Sequence, residues 1–277
     1  MRFSGLARRA TVPLALTRFS CLCSKLARMK KTAIAAAAGL ALLVGAGCGS
    51  DDNGGGSGGG GRLPQGGERV VKLDPADFTT RIDNPYLPFA VGSRWVYREV
   101  EGGVTQRVVV TVTPKTKRIA GGVRARVVHD QVTAHGRVKE DTFDWYAQDS
   151  AGNVWYLGED TTEYAKGKPP SKAGSFEAGV RGGQAGVVMP ARPAPGMSYR
   201  QEYLKGEAED RGRVLSVSRR VKVPFGSFDH VLLTEDSTPL EPDATERKYY
   251  AKGVGSLLEV AVSGDARAEL VSFHAGS

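Results

Sequence analysis

Cysteine is almost missing from this sequence, with Cys21, Cys23 and Cys48 the three among 277 residues. Beyond Cys48 there is none, so no intramolecular disulfide can form there, and an ordinary hydrophobic core must hold the chain. The 210 residues from Glu68 to Ser277 are enough for one. Histidine is scarce too: the four residues form no H-x-H or H-E-x-x-H spacing, which leaves a zinc centre without a local signature. No apolar run reaches the ~20 residues of a bilayer-spanning helix. No window longer than twelve residues has clean helical periodicity, which argues against a helical bundle. Acidic residues are absent from residues 1 to 47, which hold eight basic ones: Arg2, Arg8, Arg9, Arg18, Lys25, Arg28, Lys30 and Lys31. The whole-chain charge of +8, from 38 basic and 30 acidic residues, therefore belongs to that stretch. The remainder, with 30 of each sign, is formally neutral, and a nucleic-acid partner is disfavoured.

What is present begins with "MKKTAIAAAAGLALLVGAGCGS", Met29 to Ser50. Two lysines, an apolar run from Ala33 to Val44 and small residues up to Cys48 follow the order of a bacterial export signal. The ending resembles the lipobox of bacterial lipoproteins, in which the cysteine after the cleavage site receives a diacylglyceryl group; Cys48 is that residue here. The pattern prefers Leu three residues earlier, where this sequence has Gly45. The resemblance implies a membrane partner through an N-terminal lipid anchor and an extracytoplasmic location. Ordinary cleavage would instead give a free secreted protein. Residues 1–28 read as a mis-assigned or extended leader and residues 29–47 as the signal peptide.

Residues 48–67 form the next unit, with ten glycines between Gly49 and Gly67. Such a segment cannot bury enough apolar surface to offset its ordering entropy. As a Gly/Ser coil it spans roughly 25 Å, enough to hold a domain clear of a membrane. "GGSGG" around Ser57 matches G-x-S-x-G, but a nucleophile elbow needs a strand before the serine and a helix after it.

From 68 to 277 the texture is short alternating runs punctuated by Gly, Pro, Asn and Asp. "SRWVYREV" puts Trp95 and Tyr97 on one strand face, and "RVVVTVTP" does the same for Val108, Val110 and Val112. Turn signals recur every eight to twelve residues. The fold class is all-β: antiparallel meanders forming one curved sheet, a sandwich or an open barrel. Gly121–Gly122 and Gly226–Ser227 suit two-residue II′ hairpins, the second opposing Phe225 to Phe228 across the ladder. Gly92 with Trp95 recurs as Gly196 with Tyr199, and "WYAQD" at Trp145 as "YYAKG" at Tyr249, both 104 residues on. Two similar tandem halves, about 86–168 and 190–273, are one reading; chance spacing among strands is the other. Between them a Gly/Pro-rich excursion either covers one end of the sheet or crosses from half to half.

Chemistry-bearing residues are few. His129 and His135 lie six apart, with "AHGR" reading as a turn. Acidic groups gather at Glu140, Asp141 and Asp144, at Glu159, Asp160 and Glu163, and at Glu207, Glu209 and Asp210. A carboxylate pair such as Asp144 with Glu159 would suit an envelope hydrolase, and "DSAGN", Asp149 to Asn153, has the oxygen donors of a calcium loop. Solvated strand faces and turns explain the same residues, and no catalytic residue, metal or cofactor is assigned. Aromatic residues are the more suggestive set: Trp95, Tyr97, Trp145, Tyr146, Trp155, Tyr156, Tyr199, Tyr249 and Tyr250 recur at strand positions. Adjacent aromatics on a strand point to opposite faces, so a concave surface bearing some of them would suit an apolar, glycan or protein ligand. Core packing is the alternative.

"DFTTRIDNPYLPFAVGSRWVYRE", "EDTFDWYAQDSAGNVWYLGEDTTEY", "VVMPARPAPGMSYRQEYLKGEAED", "VKVPFGSFDHVLLTED" and "KYYAKGVGSLLEV" together resemble a family of exported bacterial proteins, many with lipoprotein signals. The likeness covers about residues 74 to 273. It implies a β-rich extracytoplasmic fold and brings no activity or catalytic residue with it.

Overall fold

The computed structural model describes residues 63–66 and 70–277. The readings of residues 1–62, including the export signal, Cys48 and most of the glycine tether, lie outside the described residues. Fifteen strands form in chain order. The first six are β1 Phe78–Thr79, β2 Arg94–Glu101, β3 Val104–Arg118, β4 Arg124–Ala134, β5 Arg137–Asp149 and β6 Val154–Glu163. They are followed by β7 Phe176–Glu177, β8 Gln184–Met189, β9 Ser198–Arg200, β10 Glu202–Tyr203 and β11 Arg211–Val223. The last four are β12 Gly226–Ser237, β13 Thr245–Ala251, β14 Gly255–Ala261 and β15 Arg267–His274.

Thirteen of them run in the order β10-β8-β6-β5-β4-β3-β2-β15-β14-β13-β12-β11-β9, with β1 beside β5 and β7 beside β6. All pairings are antiparallel. The two ends of this path meet on one short stretch of chain. Ser198–Arg200 pairs with β11, and Glu202–Tyr203, one residue further on, pairs with β8. The sheet thus curls into a nearly closed, open barrel, one of the three all-β arrangements expected from the sequence.

Antiparallel connections place the turns alternately at two ends. The β3–β4, β5–β6, β11–β12 and β13–β14 turns share one end; the β2–β3, β4–β5, β12–β13 and β14–β15 turns share the other. The first end is plugged by the loop before β2, where Ile82, Tyr86, Leu87 and Phe89 are buried. Asn84 fixes the plug: its Nδ2 donates to the carbonyls of Gly152 and Pro190 at 3.0 and 3.2 Å, and its Oδ1 accepts from the Tyr86 N–H at 2.9 Å. Burying a side chain such as Phe89 contributes roughly 1.5–3 kcal/mol, so the loop is a core element despite its lack of strand structure.

The registers repeat along the chain. Gly92 N–H donates to Val112 O and Val112 N–H to Ser93 O; the same pair of bonds joins Gly196 to Val214 and Val214 to Met197. Gly92 and Gly196 both have φ near 90°, at 88° and 90°, a region L side chains resist. Asp144 faces Glu159 across β5 and β6, and Lys248 faces Glu259 across β13 and β14, each pair beside a register shift. The intervening Gly/Pro-rich stretch is not structureless, since it supplies β7 and β8.

Two turns differ from the sequence expectation. In β3–β4 it is Gly122, with φ 89°, that takes the left-handed region, inside a three-residue loop closed by Gly122 N–H to Ile119 O. In β11–β12 the register pairs Val223 with Gly226 and Val221 with Phe228, so the turn is Pro224–Phe225 and not Gly226–Ser227. Proline pre-sets the φ of a turn's first central residue, which outcompetes the glycine two positions on. Phe225 and Phe228 still stack, with centroids 6.1 Å apart, though not as cross-strand partners.

Candidate functional site: the barrel interior and the cleft beside Trp155

Directly opposed residues share a sheet face, so the register defines what lines the barrel. One row runs Glu99, Ala268, Glu259, Lys248, Thr234 and Val214. The next places Glu246 opposite Asp236 and Asp236 opposite Gly212. Glu99, Asp130, Asp236, Lys248 and Glu259 are all less than a tenth exposed. The interior is therefore charged in its middle. Lys248 Nζ sits 3.0 Å from Asp236 Oδ2 and 3.8 Å from Glu246 Oε2. Burial alone would lower the Lys248 ammonium, but the carboxylates of Asp236, Glu259 and Glu246 outweigh it and hold it charged. Burial pushes the Glu246 carboxyl up to about 8, with Lys248 pulling it down and Glu259, Asp236 and Asp210 pushing it further up. Glu259 is raised by the same burial.

Asp144 and Glu159 are brought together as the sequence reading required. Tyr156 Oη lies 2.8 Å from Asp144 Oδ1 and 2.9 Å from Glu159 Oε2. Asp144 is fully buried and Glu159 is 3 % exposed, so the trio is an internal polar contact binding β5 to β6. Beside it Thr142 and Thr161 share a hydroxyl hydrogen bond at 2.9 Å. Among the other acidic positions, Glu140 and Asp210 are also buried. Asp149 closes the β5–β6 turn, its carboxylate accepting from Asn153 N–H, Asn153 Nδ2 and Trp155 Nε1, all at 2.8 Å. That occupies the donors proposed for calcium, and among the described residues no three His, Cys, Asp or Glu side chains are grouped to hold a metal. His129 stacks on Phe143 and contacts Asp141 Oδ1 at 2.7 Å. Burial pushes the Asp141 carboxyl up, but hydrogen bonds from His129 and Gln131 outweigh it and hold it below the usual range. His135 and Gly136, with φ of 50° and 71°, form the β4–β5 turn itself, as "AHGR" suggested.

The aromatic set divides by face. Phe273, Trp95, Phe89, Tyr146, Tyr156 and Phe176 form a continuous chain of rings with successive centroids 5.1 to 5.7 Å apart. Tyr97 donates its hydroxyl to Ser256 O at 3.0 Å, and Trp95 Nε1 donates to Val254 O at 2.7 Å. Tyr199 and Tyr250 are also buried, while Tyr249 is half-buried. Trp145 and Trp155 take the face opposite their Tyr neighbours. Lys117 Nζ lies 3.8 Å over the Trp145 ring, and Phe78 meets Trp155 edge to face at 5.9 Å.

Trp155 also borders a cleft of about 230 Å³ at the plugged end, whose walls include Leu63, Val71, Phe78, Asp74 and Asp149. Sequence reasoning named Trp155 and the Asp149–Asn153 loop but missed Leu63, Val71, Asp74 and Phe78. Phe78 and Leu63 lie far from it in the chain; the β1–β5 pairing of Phe78 with Asp149 brings in the first, and hydrogen bonds of Pro64 and Gln65 to Arg200 and Ser198 hold the segment of the second.

No known family profile matches the chain, and no curated protein matches it. Among solved structures it is similar to a protein from Bacteroides fragilis classed as exported and of YmcC-like fold, at 14% identity. That match covers 69% of this chain and 99% of the other, with a TM-score of 0.42. It is similar also to a protein from Parabacteroides distasonis classed as a lipoprotein, at 10% identity over 68% of this chain and 98% of that one, with a TM-score of 0.39.

Proposed function

We propose that this protein is a lipid-anchored extracytoplasmic binding module of the cell envelope, with the β-barrel held to the membrane through Cys48 and the glycine-rich tether. The observation that carries the reading is the order of Met29 to Gly67: basic residues, an apolar run, Cys48 and then ten glycines. The cleft beside Trp155 supports binding over catalysis. It combines an aromatic pair, aliphatic walls and the carboxylates of Asp74 and Asp149, the mixture that suits an apolar or glycan ligand with a few polar groups. The carboxylate pair that a hydrolase would need, Asp144 with Glu159, is buried against Tyr156.

Cys48→Ala tests the anchor. Mass measurement of the wild-type protein is expected to find an acylated N-terminal cysteine, and the variant to be unacylated and released from membranes washed at about 1 M salt, where surface charge is screened. Unchanged membrane retention of an unacylated variant overturns it. Native mass spectrometry of the purified wild-type protein tests the binding reading, with a co-purifying ligand lost in Trp155→Ala as the expected result.

A further inference from the structure

We propose that the plugged end of the barrel, led by the β11–β12 hairpin, docks on an anionic phospholipid bilayer surface. The inference rests on the membrane address proposed above and adds which face meets the membrane and what holds it there.

The hairpin tip is apolar and exposed at once. Phe225 keeps 39% of its surface accessible and Val271 beside it 42%. Phe225 is held in place: its N–H donates to Leu270 O at 3.0 Å, and its ring meets Phe228 at 6.1 Å and Phe273 at 6.4 Å. A rigid aromatic at a turn, showing much of its surface to solvent, suits insertion at the headgroup level of a bilayer. Charge around the tip is of one dominant sign. Arg219 and Lys222 are exposed, and Asp229, the one acid between Arg219 and His230, is engaged by Arg220 at 2.7 Å.

The β3–β4 turn at that end has the same sign, although Glu177 pairs with its Lys117 and the cleft beside Trp155 carries Asp74, Asp77 and Asp149. In the β3–β4 turn, residues 115 to 126 include exposed Lys115, Arg118 and Arg124 and no acid. At the opposite end the β12–β13 connection, residues 238–244, carries Glu241 and Asp243 and no basic residue. An anionic surface therefore attracts the β11–β12 hairpin and the β3–β4 turn and repels the β12–β13 connection. The N-terminal segment arrives at the attracted end, where Leu63 shares the cleft with Trp155 and the β5–β6 turn. The sixteen residues from Cys48 to Leu63 can extend to ~50 Å, so the anchor permits this contact without dictating it.

Phe225→Trp in the full chain with Cys48→Ala supplies the probe. Trp95, Trp145 and Trp155 are each 7% exposed or less, so a change in emission on adding vesicles reports position 225. Vesicles of phosphatidylglycerol in phosphatidylcholine are expected to shift the emission to the blue, and phosphatidylcholine alone to leave it unmoved. Adding Arg219→Glu and Lys222→Glu should lower affinity for the anionic vesicles by about 100-fold or more. Emission unmoved by anionic vesicles, or a shift indifferent to lipid charge or to those reversals, overturns the proposal; in the first case the patch belongs to a protein partner. Acylation of wild-type Cys48, read by mass, reports separately on the anchor.

Discussion

Glu246 is the residue whose chemistry departs furthest from its type. Its ordinary value of 4.5 is pushed up to about 8 by burial, so the folded protein keeps a proton that the unfolded chain would release. The stability this confers is fully present below pH 4.5 and is lost as pH rises through about 8. Glu246→Gln removes the titration. Its melting temperature should match wild type near pH 5 and exceed it by a few degrees near pH 8, measured by thermal unfolding at both values. A difference that does not change with pH would sink the assignment. Lys248, by contrast, cannot be removed lightly, because a buried carboxylate group would lose its cation. Neither residue was legible in the sequence. "ERKYYA" alternates like a strand whose polar side faces water, and alternation fixes which residues share a face without saying which face is inside. Where the interior itself is charged, the usual assignment inverts. The aromatic positions were legible because large rings are buried on either face, Trp145 under Lys117 and Tyr146 against Tyr156.

At the scale of elements, the junction between β8 and the Ser198–Tyr203 stretch is the place where the barrel comes nearest to being open. Arg200 reaches across it, Nη1 to Gln184 Oε1 at 3.1 Å and Nη2 to Ala185 O at 3.0 Å. Gly186 permits the approach, since a Cβ there would overlap the carbonyl oxygen of Arg200. Gly186→Ala should cost roughly 2–4 kcal/mol, because the obstacle is backbone and cannot rotate away. Hydrogen exchange is the discriminating measurement: amides of β8, β9 and β10 should exchange faster while those of β2 to β4 keep their protection. Uniform acceleration would mean that the junction is not a separable unit. Most strands were readable from period-two alternation and turn residues, β2, β3 and β6 among them. The plug before β2 was not, because Ile82, Tyr86, Leu87 and Phe89 follow neither a strand nor a helix period. Their burial depends on Asn84 meeting Gly152 and Pro190, contacts far away in sequence.

For the whole molecule, the proposed docking of the basic hairpin and β3–β4 turn on anionic lipid is one that salt can abolish. Raising ionic strength from about 0.1 to 1 M shortens the screening length from ~10 to ~3 Å. The Phe225→Trp emission shift on anionic vesicles should then be lost, while acylated wild-type protein stays with the membrane at the same salt. If salt also strips the acylated protein, the lipid is not what retains it.

The short stretch that closes the barrel has a mechanical side. Its Arg200 N–H donates to Pro64 O at 2.8 Å, and Gln65 Nε2 donates to Ser198 O at 3.0 Å. Any pull along the N-terminal segment therefore lands first on the strand that buckles the sheet shut. Tension and closure are in series. A load applied at the N-terminal segment reaches the buckle before it reaches the long strands of the wall.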